Sequence, residues 1–223
     1  MRSESVEERR APAGREPRWP ASIAIAAAIV LYELLPDRLV VGPHWLIPGL
    51  EGLIGALLLV LRPFRTEREE SHVRVVAIGL IGLVSFSNGS SVVLLVDRLV
   101  NGTGGAQGKQ LVIAAVSIWL TNVIVFALWY WELDRGGPAL RAAQRGRNPD
   151  FLFPQMTIPA RAPAAWRPSF VDYLYVALTN AAAFSPTDTM PLTPMAKALM
   201  STQSLVSLLT VVVVAARAVN ILH

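Results

Sequence analysis

Leu111–Trp131 reads LVIAAVSIWLTNVIVFALWYW, an uninterrupted apolar run without a charged side chain. Wound as an α-helix it reaches roughly 30 Å, about the thickness of a bilayer's hydrocarbon core. A barrel strand would alternate polar and apolar residues, and this run does not. Working outward, Val75–Val96 and Trp45–Leu61 are similar blocks. Ala21–Leu35 is alanine-rich and shorter, and draws on Val40 and Val41 or on local bilayer thinning. A last stretch, Met195–Leu222, follows a separate short run at Phe170–Phe184. Trp19, Trp45, Trp129, Tyr130 and Trp131 lie at block ends, where amphipathic rings favour the headgroup region.

Composition agrees with this reading. Hydrophobic residues make up 53% of the 223 and charged residues 16%, with a mean hydropathy of +0.45. A soluble domain carries about 25% charged residues, so a soluble enzyme and a disordered chain are both disfavoured. There is no cysteine, which excludes disulfide frameworks, thiolate metal sites and cysteine nucleophiles. His44, His72 and His223 lie far apart, so neither an imidazole-based metal site nor any other cofactor is expected. No nucleophile–base constellation appears, so the chain is not expected to be an enzyme.

The net charge of +4 does not indicate nucleic acid, because the arginines fill the gaps between apolar blocks. Residues 1–20 hold five Lys/Arg, the gap at Arg38 one, and Arg62–Arg74 four. Arg98 and Lys109 make two in the next gap, and 134–169 holds six. By the positive-inside rule the first, third and fifth of these segments face the cytoplasm. The expectation is an all-α polytopic membrane protein of the bacterial cytoplasmic membrane, with its N-terminus inside. It has five transmembrane helices plus a re-entrant half-helix and loop. Residues 1–20 form a disordered cytosolic tail with neither a twin-arginine signal nor a cleavage site. A four-helix transmembrane region (21–133), an Arg-rich linker (134–169) and a re-entrant loop with the last helix (170–223) follow.

Gly102-Thr-Gly-Gly-Ala-Gln-Gly-Lys109-Gln110 lacks the spacing of a phosphate loop and reads as a flexible outer loop. Glu51 lies inside the second block. It is either a functional intramembrane acid or a carboxylate in the upper turn, near the headgroups or protonated. Ser85-Phe-Ser-Asn-Gly-Ser-Ser91 and Thr121-Asn122 place hydrogen-bonding groups in mid-block, either along a wet crevice or as bonds between helices.

Phe170–Phe184 is too short and too polar for a span, with Asp172, Thr179 and Asn180 in it. Ser185-Pro-Thr-Asp-Thr-Met-Pro191 is rich in turn formers, and Pro194 suits the first turn of the helix after it. A half-helix, a polar hairpin and a full span make a re-entrant loop, tolerated in a membrane only where protein or water covers it.

Asp172-x-Leu174-Tyr175 with Asp188-x-x-Pro191-x-Thr193-Pro194-x-x-Lys197 resembles the pore of tetrameric potassium channels, and Ala215-Ala216-Arg217-Ala218-Val219 continues the likeness. The same segment is also similar to bacterial multi-span membrane families of unknown function. The channel resemblance implies a pore helix, a filter, an inner helix and a homo-tetramer in the lipid bilayer. It departs at the filter, where Ser185, Pro186 and Thr187 replace glycine, tyrosine and glycine. A carbonyl ladder needs those glycines, so any ion would meet the side-chain oxygens of Ser185, Thr187, Asp188 and Thr189, a weakly cation-favouring lining. Alternatively, these four residues only cap the half-helix and shape the turn. Gln203, Ser207 and Thr210 share one face of the last helix, lining a conduit in a tetramer or bonding neighbouring helices in a monomer. The functional expectation is a channel-like membrane protein. The alternatives are a proton- or cation-coupled transporter using Glu51 and Asp188, and a non-conducting membrane scaffold.

Overall fold

The computed structural model describes residues 19–41, 43, 45, 48–50, 52, 67–100, 108–142, 148–158, 166–182 and 188–221. In chain order these form α1 (Trp19–Glu33), α2 (Glu67–Val100), α3 (Gly108–Leu133), α4 (Pro138–Ala142), β1 (Phe151–Leu152), α5 (Pro154–Thr157), α6 (Phe170–Ala182), β2 (Met190–Pro191) and α7 (Pro194–Ile221). Short 3-10 turns lie at Asp37–Leu39 and Asp134–Gly136. The protein is mostly helical. Among the described residues three helices are long and apolar enough to cross a membrane, at Arg74–Arg98, Gln110–Gly136 and Pro194–Ala215. That fits a membrane protein. The first apolar helix, α1, has 15 residues and falls short of that length. Most of the second block, Glu51 included, lies outside the described residues, as does the N-terminal tail to residue 18.

The run that opened the sequence reading is the hub of the bundle. α3 packs against α6, α7, α2 and α1. The share of its apolar window that is buried is 61%, against 17% in α7. On α7, Leu205, Leu208, Leu209, Val211 and Val212 point outward. Small residues let the neighbours approach closely: Ala114, Ala115 and Ala127 of α3 and Ala177 of α6 are essentially inaccessible.

Helix directions follow from the contacts. Arg74 near the start of α2 pairs with Glu132 at the end of α3 (Nε–Oε1 3.6 Å), so these helices are antiparallel. The first half of α1 (Ala21, Ala24, Ala28) shares a core with the second half of α3 and with Phe170, Tyr173 and Ala177 of α6. Tyr32 at the other end of α1, with Leu35, Leu39 and Val40, joins Val92 and Leu95 of α2 and Ala114, Ala115 and Ile118 of α3. α1 and α2 therefore run together, away from the end of the bundle where residue 134 lies.

That end is closed by the segment read from sequence as a linker. After Leu133 the chain turns through Arg135 (φ 53°), Gly136 (φ 82°) and Gly137 (φ 103°). A Cβ on Gly137 would stand 3.0 Å from the Glu132 carbonyl oxygen and 3.2 Å from Arg74 Nε. Gly137→Ala is therefore expected to cost about 1–3 kcal/mol, read as a lowered midpoint in thermal unfolding of the detergent-solubilised protein. Beyond the turn, Phe151 and Phe153 enter the core, and the Phe153 ring meets Tyr173 edge-on at 5.3 Å. Residues 134–169 are thus partly core and not only a connector.

The sequence reading of Gly102–Gln110 as one outer loop needs correction at its end. Gly108, Lys109 and Gln110 form the first turn of α3, and 101–107 lie outside the described residues. α2 likewise starts at Glu67, eight residues before the apolar block begins at Val75. Glu and Arg are good helix formers, and no glycine or proline interrupts the chain there.

Candidate functional site

α6 and α7 are adjacent in sequence, yet they run in the same direction. Gln203 Nε2 donates to the Ala177 carbonyl (2.7 Å), and Ser207 Oγ donates to the Ala181 carbonyl (2.8 Å). A step of four residues along one helix matches a step of four along the other, which only a parallel pair allows. Both helices begin at the same end of the bundle. Ser169 caps α6, its backbone N–H and hydroxyl both donating to Asp172 Oδ2 (2.7 and 2.8 Å). Thr193 caps α7, its Oγ1 accepting from the Ala196 N–H (3.2 Å), with Pro194 in the first turn.

Between these caps the chain descends along α6 for about 18 Å and by Met190 is back at the starting end. There β2 pairs antiparallel with β1, Phe151 opposite Pro191 and Leu152 opposite Met190. Asp150 fastens the return: its carbonyl accepts from the Leu192 N–H (2.8 Å) and its Oδ1 from the Thr193 hydroxyl (2.8 Å).

Asp150 is in turn held by Asp134, which is fully buried. Asp134 Oδ1 accepts from the Asp150 N–H (2.8 Å), and Oδ2 accepts from the Tyr173 hydroxyl (2.6 Å). The Arg135 N–H donates to Asp150 Oδ2 (3.0 Å), and Arg135 Nε stands 3.7 Å from Asp134 Oδ2. Arg141 Nη1 donates to the carbonyls of Trp131 and Asp134 (2.6 and 2.9 Å), with its guanidinium 5.1 Å above the Tyr173 ring. One buried carboxylate thus ties together the end of α3, the start of α6 and, through Asp150, the start of α7.

A second polar centre lies at mid-bundle. Gln203 is fully buried. Its Oε1 accepts from the Tyr130 hydroxyl (2.6 Å) and from Asn180 Nδ2 (2.8 Å), and its backbone carbonyl accepts from Asn122 Nδ2 (3.2 Å). Asn180 also donates to the Met200 carbonyl (2.9 Å) and accepts from the Ser204 hydroxyl (3.2 Å). Three helices meet at this amide.

The residues singled out in the sequence fall into three groups. Gln203, Ser207 and Thr210 are buried and face inward, with Thr210 Oγ1 donating to the Val206 carbonyl. Within the single chain Gln203 and Ser207 bond to α6, while Thr210 bonds within α7. Asp188 is exposed and Thr189 is buried. Ser185, Thr187 and Glu51 lie outside the described residues. In the serine-rich stretch of α2, Ser85 Oγ accepts from Trp129 Nε1 (2.9 Å), a bond between helices, while Ser90 and Ser91 donate to carbonyls of their own helix. Sequence reasoning missed Asp150 and Tyr173 and placed Tyr130 at headgroup level, whereas its side chain is fully buried against Gln203; the burial of Asp134 was missed too. The Asp134-Arg-Gly-Gly turn and the Asp150-Phe-Leu-Phe-Pro stretch were the available signals.

No family model, no curated protein and no solved structure matches the chain. What the arrangement can do chemically therefore rests on its own geometry. Among the described residues no group of three acidic, histidine or cysteine side chains is set to hold a metal ion. What the site offers is a short capped helix and a return through β2, both anchored at one end.

Proposed function

We propose that this is an oligomeric, channel-like protein of the bacterial cytoplasmic membrane. In this reading α6 and residues 183–193 dip into the bilayer from the cytoplasmic side and turn back. The single observation that carries it is the parallel course of α6 and α7, whose caps lie at one end of the bundle. Two consecutive helices run parallel only if the chain between them returns the whole way, as a re-entrant loop does.

Connectivity supports five spans. α1 ends far from residue 134 and α2 begins near it, and the apolar block Trp45–Leu61 between them is long enough to join the two ends as a span. The arginines support the orientation. α1 and α2 start, and α3 ends, at the end carrying Asp134, whereas Arg98 Nε donates to the Arg38 carbonyl (3.0 Å) at the opposite end. The positive-inside rule makes the Arg-rich end cytoplasmic and the C-terminus external.

The conduit would be lined by Asp188 with Ser185, Thr187 and Thr189, favouring cations weakly through carboxylate and hydroxyl oxygens. Reconstituted in vesicles, the protein is expected to pass monovalent cations, and Asp188→Asn to lower that flux severalfold. No flux of any ion from protein shown to be folded would overturn the proposal. The topology has its own check in a chain without native cysteine: Asp188→Cys should react with impermeant maleimide from the cytoplasmic side and His223→Cys from the outside.

A second reading is favoured by the burial of Gln203, Ser207 and Thr210. With that face bonded inside one chain, the protein could be a non-conducting membrane scaffold on a pore-like frame. Folded protein that assembles with a fixed stoichiometry but carries no current would support it.

A further inference from the structure

A small cavity lies between α1, α2 and α3, lined by Ala28, Tyr32, Leu35, Val84, Ser87, Asn88 and Thr121. The three polar members are each more than nine-tenths buried, at 4%, 6% and 7% exposure. Among the described residues the side chains of Ser87, Asn88 and Thr121 make no hydrogen bond to the protein and keep their polar atoms open to this space, while Oδ1 of the adjoining Asn122 is buried without a partner. Burying a hydroxyl or amide without a hydrogen bond costs about 1–3 kcal/mol. Were the space between them dry, three such groups would carry this cost, and a ligand there relieves it.

The cavity identifies the ligand by size and charge. Its volume is about 10 Å³, the scale of a single water molecule. Ser87, Asn88 and Thr121 offer both donors and acceptors, which suits a neutral molecule that also has both. A bare cation would use only their oxygens, and the residues lining the cavity include no carboxylate to offset its desolvation.

We propose that Ser87, Asn88 and Thr121 bind a water molecule inside the helical bundle, at the depth where α6 ends. The site does not depend on conduction. It continues the polar belt of Asn180, Gln203 and Asn122 across the bundle, since Thr121 adjoins Asn122 in α3.

The test is synchrotron hydroxyl-radical footprinting of the purified protein in nanodiscs, where radicals form from bound water itself. Leu35 and Tyr32, which line the cavity, should be oxidised severalfold faster than Leu80, which is buried outside it. Thr121→Val should abolish that excess and lower the unfolding temperature, because the isosteric change strands the water and its remaining partners. Equal labelling of Leu35, Tyr32 and Leu80 in the wild type would overturn the proposal. So would a raised unfolding temperature in Thr121→Val, the sign expected if a dry, unsatisfied hydroxyl had been removed. Melting should be the same in sodium, potassium and choline chloride, and a rise specific to one metal cation would assign the cavity to that ion instead.

Discussion

Asp134→Ala will destabilise the protein by about 3–5 kcal/mol, the range seen when one partner of a buried charge pair is removed. The carboxylate is inaccessible, accepts from two donors, the Tyr173 hydroxyl and the Asp150 N–H, and is ion-paired with Arg135 at 3.7 Å. Alanine leaves the hydroxyl and the N–H buried without an acceptor, and removes the charge opposite Arg135. Asp134→Asn keeps one carbonyl oxygen and should lose roughly half as much, since amide acceptors make the weaker bonds. Denaturant titration in mixed micelles, followed by tryptophan fluorescence, reads both losses. The same titration after Tyr173→Phe should show a loss of about 1 kcal/mol. A wild-type midpoint in Asp134→Ala would show that this carboxylate does not hold the helix ends together. Because Asp150 in turn grips Thr193 and Leu192, loosening Asp134 should also raise protease sensitivity in residues 188–193.

The second large effect is expected at Gln203. Gln203→Leu keeps the volume and removes three side-chain hydrogen bonds, to Tyr130, Asn180 and Ala177. Bonds between membrane helices are worth about 0.6 kcal/mol on average and up to about 1.7 kcal/mol. The expected loss is therefore about 2–4 kcal/mol, and Tyr130→Phe alone should cost a fraction of it. Combined, the two substitutions should cost little more than Gln203→Leu, because both remove the same bond. This variant also separates the two roles weighed for the inward face of α7. A structural amide predicts lost stability with unaltered ion selectivity in whatever folds. A conduit lining predicts altered selectivity at unchanged stability.

The contrast between these two residues explains what could be read without coordinates. Gln203, Ser207 and Thr210 were legible as one face because helical periodicity is a local property: residues four and three apart share a side whatever the helix meets. Which side of α7 points inward was not local, and it turned on where the Ala177 and Ala181 carbonyls lie. Asp134 was harder. A carboxylate just past Trp131 reads as a headgroup-level residue. Its burial depends on Tyr173 and Asp150, 39 and 16 positions away, and on aromatic rings that cover it. The stretch at 134–169 looked like a connector for the same reason. Phe151 and Phe153 sit among prolines and polar residues, with no periodic pattern to announce that they fill a core.

What the amino-acid order determined alone is the solvent of this protein. Long runs without charge form helices whose backbone groups bond internally, as a bilayer requires. The short run at Phe170–Phe184 with prolines behind it also announced a helix that stops early. Only the tertiary structure decided that α6 and α7 run in parallel, that the polar face of α7 closes on Asn180, Tyr130 and Asn122, and that one buried aspartate holds both helix starts. Helix formation is a sum over near neighbours. Direction, facing and burial are set by groups distant in the chain that must find hydrogen-bond partners where water cannot supply them.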